Sequence, residues 1–216
     1  MNIETSLLTQ INLAIGKSGV RLASLERCYV HHSLLPVALV GYALADPGFA
    51  KARFPDTEFL HLVRKRPQMD MHETGALAAL CGADAVLPSW DNPEPFSAHL
   101  FGVIDKYNLG AFFVYLERNG GSPRHYALRP RGFDWDSADP LEIPGAIDQW
   151  RRSYRALPTE RQLMVATIMT LYLQRDDKRW MVRVPKKWHA VDGVLSLRDA
   201  GYLQDWAKLV ALYPGW

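Results

Sequence analysis

Leu157-Pro158-Thr159-Glu160-Arg161-Gln162 opens the stretch that decides the fold, and Leu163-Met164-Val165-Ala166-Thr167-Ile168-Met169-Thr170-Leu171-Tyr172-Leu173 completes it. Thr159 has the chemistry of a helix cap, and Gln162, three residues on, can reach back to it. Pro158 suits the entry. The spacing predicts a helix over 159–174 that is apolar nearly all round. Such a helix is packed on several sides and belongs in a core. Just beyond it the character reverses. Arg175, Lys178, Arg179, Trp180, Arg183, Lys186, Lys187 and Trp188 form a basic strip interleaved with aromatic rings.

Outward from this pair the chain reads as helix-rich α+β. Ile3, Leu7, Leu8, Ile11 and Ile15 recur at helical spacing, so a helix is expected over 3–15, and a second from Val20 to Val30. Leu34 to Ala45 is a buried element whose type Pro36 and Gly41 leave open. Glu58 to Lys65 is expected as a strand closed by Pro67. Asp70 to Cys81 is expected as a helix with an Asp cap and Gly82 as its stop. The three prolines from Pro88 to Pro95 mark a surface loop, and Ser97 begins a short helix.

Ala111 to Leu116 is the clearest β signal. With Asn119-Gly120-Gly121 and His125 to Leu128 it makes a small antiparallel sheet, with a hairpin near 111–128. Arg129 to Gly145 is an irregular aromatic-acidic loop and the candidate sub-boundary of an otherwise single domain over 1–216. A helix follows over 146–156. After the central helix, Arg179 to Val184 alternates as a strand, Asp192-Gly193 turns, and Ser196 to Asp199 looks like a capping box opening the last helix.

The totals bound the possibilities. A chain of 216 residues with 48% hydrophobic and 22% charged residues can bury a full core and is not a disordered segment. Net charge is only +2, but 10 of the 25 basic residues and 3 of the 23 acidic ones fall between Arg151 and Trp188. That asymmetry can mark a surface for an anionic partner, or a solvated face balanced by acidic loops. Two cysteines, Cys28 and Cys81, imply no disulfide framework and suit a reducing, cytoplasmic compartment. The first residues lack the basic start and apolar core of a signal peptide. The longest apolar run, Leu34 to Ala45, is too short for a membrane span of about 20 residues.

Several partial motifs fail on spacing. Gly16-Lys17-Ser18 matches the end of a phosphate-binding loop, but Ile11 stands where the first Gly belongs. His72-Glu73 would need a second His at Ala76 to bind zinc on a helix, and the adjacent His31 and His32 cannot converge on one metal. His61, Asp70, His72 and Glu73 could form a metal site for a hydrolase or nuclease only if the fold gathers them. Asp134, Asp136 and Asp139 miss the calcium-loop pattern, because Ala138 and Asp139 replace the required acid and Gly. Cys28 with His31 or His32 has the residue types of thiol catalysis, but sits on an apolar stripe with nothing near in sequence to lower its pKa. No catalytic signature and no cofactor or metal site is expected.

The strip at 175–188 therefore carries the functional reading, together with Phe133 and Trp135 of the acidic loop. Its cations could meet phosphates and its rings could stack on bases, as in a DNA-binding regulator of winged-helix type. A recognition helix must show polar residues to the groove, however, and the helix at 159–174 is too apolar. A protein partner is the other reading.

Leu157-Pro158-Thr159-Glu160 and Pro185-Lys186-Lys187-Trp188 are the most individual stretches of the sequence. Over its full length, in size and in its soluble, motif-free character, the chain resembles the fertility-inhibition factors of plasmids, which block another plasmid's conjugation by acting on its coupling protein. The resemblance implies a non-enzymatic, cytoplasmic inhibitor that contacts a conjugative coupling ATPase. It assigns no role to any particular residue.

Overall fold

The central apolar stretch is one helix, Thr159–Leu173, and every side chain from Leu163 to Leu171 is buried. The computed structural model describes residues 13–16, 19–22, 35–45, 57–84, 92–116, 124–173, 178–181 and 188–215. The described elements, in chain order, are β1 (Leu13–Gly16), β2 (Gly19–Leu22), α1 (Leu35–Ala45), α2 (Phe59–Arg64), α3 (Met71–Leu80), α4 (Glu94–Lys106) and β3 (Phe113–Tyr115). They continue with β4 (Leu128–Pro130), α5 (Ala146–Arg155), α6 (Thr159–Leu173), α7 (Lys178–Met181), α8 (Ala190–Asp199) and α9 (Leu203–Ala211). This is a helix-rich α+β fold with two-stranded antiparallel sheets.

The chain divides into two units. Met1–Leu87 and Lys187–Ala211 form the first, and Pro88–Lys186 with Leu212–Trp216 form the second. The loop at 129–145 lies inside the second unit.

In the first unit, α1 packs on α3 and α8, α8 also packs on α2 and α9, and α9 packs on α3. The open question over Leu34 to Ala45 resolves as helix. Pro36 falls in its first turn, where the missing N–H costs no hydrogen bond. Glu58 to Lys65 is helical instead of a strand, and Pro67 sits in a short 3-10 turn, Arg66–Gln68. The burial shows why: Phe59, Leu60, Leu62 and Val63 are all covered, a helical stripe that no two-residue alternation could bury. The expected Asp70 cap is present. Its carboxylate accepts from the Glu73 N–H at 2.8 Å while Glu73 accepts from the Asp70 N–H at 2.9 Å, and Gly82 at φ 72° ends the helix.

The same unit corrects four further expectations. Leu13–Gly16 and Gly19–Leu22 are paired strands where helices were expected. In their register Ile15 pairs with Val20 and Gly16 with Gly19. The remainder of the helices expected over 3–15 and 20–30 lies outside the described residues. Asp192-Gly193 lies within α8 and is no turn, and Ser196 to Asp199 is the end of that helix, not the start of the next. The true cap of α8 is His189, whose Nδ1 accepts from the Val191 N–H at 3.3 Å, and the break before α9 falls at Gly201, φ 75°. Glu58 and His189 form a β-bridge that staples the starts of α2 and α8 together. Arg66, 1% exposed, closes the unit by donating to the carbonyls of Val210 and Ala211 at 2.9 and 3.2 Å. A cation there satisfies orphan carbonyls at the negative end of α9.

In the second unit α4 begins at Glu94, three residues earlier than expected, with Pro95 tolerated in its first turn. The expected sheet is present, with Phe113 facing Pro130 and Tyr115 facing Leu128. Its second strand starts later than expected, because His125–Ala127 form a 3-10 turn. The capping box expected at Thr159 is replaced by another tie. The Gln162 amide donates to the Leu157 carbonyl at 2.7 Å, and the Gln162 carbonyl accepts from the Tyr154 hydroxyl at 3.1 Å, which pins α6 to the end of α5. Arg179 to Met181 belong to a one-turn helix, not a strand; Val182 to Val184 lie outside the described residues. Among the described residues between α6 and α8 there is no strand of the kind a winged-helix arrangement needs.

Candidate functional site: an aromatic hollow in the second unit

The loop after β4 is held shut by its own backbone. Phe133 bridges to Glu142, the Asp134 N–H donates to the Leu141 carbonyl, and the Ile143 N–H donates to the Gly132 carbonyl, both at 2.9 Å. The Trp135 indole N–H donates to the Pro130 carbonyl at 2.8 Å, which turns the ring back against the sheet. Gly132, at φ 129°, is where the chain leaves β4. At this φ a side chain would be strained, and a Cβ would in addition meet Ile147 Cδ1 at 2.6 Å, so glycine suits the close approach of the loop to α5.

The one-turn helix α7 completes the site. Trp180 is 1% exposed and donates its indole N–H to the Arg131 carbonyl at 2.8 Å. Arg151 of α5 donates to the carbonyls of Trp180 and Arg179, and its guanidinium also pairs with Asp148 at 3.1 Å. Phe133 lies 5.3 Å from both Trp135 and Trp180, ring centre to ring centre. The Arg179 guanidinium stands 5.1 Å over Phe133 and 5.2 Å from the Trp180 ring, within cation–π range.

Beside this cluster is an open hollow of about 440 Å³. Val114, Leu116, Phe133, Trp135 and Ile143 give it apolar walls, while Arg131, Asp134 and Asp136 add charge. Leu141 is 68% exposed and Ile143 47% exposed, both large aliphatic side chains set in an otherwise acidic loop. Asp134, Asp136, Asp139 and Glu142 are all exposed. The arrangement offers apolar contact area rimmed by carboxylates. Its two flanking guanidiniums are turned onto protein groups, Arg179 onto the rings and Arg131 onto the Gly110 carbonyl at 3.2 Å.

Of the residues singled out in the sequence, Phe133, Trp135, Arg179 and Trp180 come together here. Trp180 serves as a buried anchor. Trp188 does not join them; it belongs to the first unit, where its carbonyl accepts from the Phe59 N–H at 2.8 Å. Arg175, Arg183, Lys186 and Lys187 lie outside the described residues, as does the side chain of Lys178. Leu141, Ile143, Val114 and Leu116 were missed by the sequence reading. The signal was the pair of aliphatic residues flanking Glu142 in a loop of Asp, Ser and Pro.

The other candidate chemistry does not assemble. Asp70 and Glu73 are engaged in capping α3, and among the described residues no group of three His, Cys, Asp or Glu side chains could hold a metal ion. A strand does precede Gly16-Lys17-Ser18, but a strand also follows, where a phosphate-binding loop needs a helix. Cys28, His31 and His32 lie outside the described residues. Cys81 is buried, which pushes its thiol up to about 12 and away from nucleophilic chemistry. Ser97 Oγ lies 3.0 Å from His125 Nδ1, the residue types of a nucleophile and its base. Both are only 4% exposed, His125 Nε2 bonds to the Gly215 carbonyl at 2.9 Å, and the Ser97 hydroxyl also approaches the Pro93 carbonyl at 3.1 Å. This is a tie between α4, the 3-10 turn and the residues after α9.

No protein-family model matches the chain, and no curated protein or solved structure is significantly similar to it. Among the described residues no helix is long and apolar enough to cross a membrane.

Proposed function

We propose that the chain is a non-enzymatic interaction protein that docks a partner protein on the hollow of its second unit. The observation that carries this reading is the pair Leu141 and Ile143, exposed beside an open aromatic pocket. Exposed apolar area next to rigid aromatic rings and ringed by polar groups is the anatomy of a protein interface. Here the rings are fixed by indole hydrogen bonds, so little ordering accompanies binding. The Arg179 guanidinium is laid over two rings, an arrangement that favours a protein partner over a phosphate at that residue.

The specific form of the proposal is fertility inhibition in the cytoplasm, with the coupling ATPase of another plasmid as the partner. The test is capture of a purified coupling protein by the wild type and by Leu141→Ser, alongside conjugation frequency from donors expressing each. Wild-type capture and reduced transfer, both lost in Leu141→Ser, support the proposal. No capture at micromolar concentration with transfer unchanged removes the inhibitor form.

A further inference from the structure

From the charge around the hollow we infer that its occupant is a basic peptide segment of the partner, with an apolar side chain entering the pocket and arginines or lysines over Asp134 and Asp136. The inference rests on the docking reading above and adds the chemistry of the ligand. The volume, about 440 Å³, lies in the range of about 300–1,000 Å³ typical of pockets that take small-molecule-sized groups, enough for one large side chain and its neighbours. Around it Asp134, Asp136, Asp139 and Glu142 are exposed carboxylates. Among the described residues Arg131 and Arg179 border the hollow and Arg151 is paired with Asp148, so the four carboxylates outnumber the cations and set the sign of the field that meets an arriving partner. The aromatic cluster already accepts one guanidinium, that of Arg179 over Phe133. Trp135, tilted 37° against Phe133 and only partly covered, presents the same kind of π surface to a second. An acidic segment would instead meet four carboxylates, and like charges brought together at a contact oppose binding.

The experiment is fluorescence anisotropy of labelled peptides against the intact protein. The probe has a central Leu-Trp pair flanked by arginines; the controls replace the arginines with glutamates, or the Leu-Trp pair with a Gly-Ser pair. We expect the arginine probe to bind at least about tenfold more tightly than either control, and to weaken as salt rises. Asp134→Asn with Asp136→Asn should weaken it about fivefold, as expected for two solvated charge pairs. Leu141→Ser, at a 68% exposed position where a substitution costs the fold little, should weaken it as well. Equal binding of arginine and glutamate probes would overturn the charge assignment while leaving a docking surface in place. Binding of the Gly-Ser control as tight as the probe would also overturn the inference, since it would show attraction without the hollow. Coupling-protein capture that depends on Leu141, with no arginine-probe binding, would overturn the basic-segment inference alone. Loss of both would remove the docking reading too.

Discussion

Gly193→Ala is the sharpest test of the first unit. Gly193 lies inside α8, where alanine is the better helix former by about 1 kcal/mol. Propensity alone therefore predicts a stabilised protein. Packing predicts the reverse, because a Cβ at this position would stand 2.4 Å from Phe59 Cδ2 and 2.8 Å from its Cγ. The ring has little room to retreat: Phe59 is fully buried and its far side meets Trp206 at 5.3 Å. Overpacking a tight core costs about 1–3 kcal/mol, and a contact this short against a backed ring belongs at or beyond the upper end. The net effect is a loss of about 2 kcal/mol, or about 4–8 °C in Tm for a chain of this size. Urea and thermal unfolding followed by tryptophan fluorescence and circular dichroism would measure it. Phe59→Leu in the Gly193→Ala background should recover part of the loss in a double-mutant cycle. A Gly193→Ala protein as stable as wild type, or more so, would refute the close approach of α8 to α2.

Three further outcomes follow from groups described above. Asp70→Ala removes one half of the capping box on α3 and should cost about 1 kcal/mol, read as a shift in urea midpoint; Asp70→Asn should retain most of it. His125 has its pKa lowered by burial, partly offset by its bond to the Gly215 carbonyl, so the folded state resists a proton that the unfolded chain accepts. Stability should be full above the ordinary histidine value of about 6.5 and decline as pH falls through it; His125→Gln should flatten that decline. In a Cys28→Ser background, Cys81 should react with a thiol reagent two to three orders of magnitude more slowly than in the urea-unfolded chain, as expected for a thiol pushed up to about 12. Rapid modification of the folded protein would contradict its burial.

Where the sequence was legible, one physical signal outweighed its rivals. The charge-free run from Leu163 to Leu173 could only be a buried helix, and Asp70 with Glu73 and Gly82 marked both ends of α3. The reading failed where a residue type serves two purposes. Gly193 looked like a turn because glycine usually signals one, yet it is there to admit a phenylalanine from a distant part of the chain. Glu58 to Lys65 looked like a strand because so short a run has too few residues to separate a period of two from one of 3.6. At the site, the aromatic residues of the loop and the strip were visible, but their convergence was not. It depends on Trp180 reaching the Arg131 carbonyl across 49 positions of sequence. Leu141 and Ile143 were passed over because isolated aliphatic residues in a loop carry no periodic signal.

The route of the chain through its two units bears on the order in which the molecule can be made. The chain enters the second unit at Pro88, leaves it at Lys186 and returns to it at Leu212. A ribosome therefore delivers α1, α2 and α3 long before α8 and α9, the helices that cover them. Buried side chains such as Val40, Leu62 and Leu77 must wait, as an uncovered surface, for about half the chain to be synthesised. The second unit lacks only Leu212–Trp216 when Lys186 emerges, and it can gather most of its core first. Folding during synthesis thus runs against the usual N-terminal-first order, and the nascent first unit is the stretch on which a chaperone has the longest time to act.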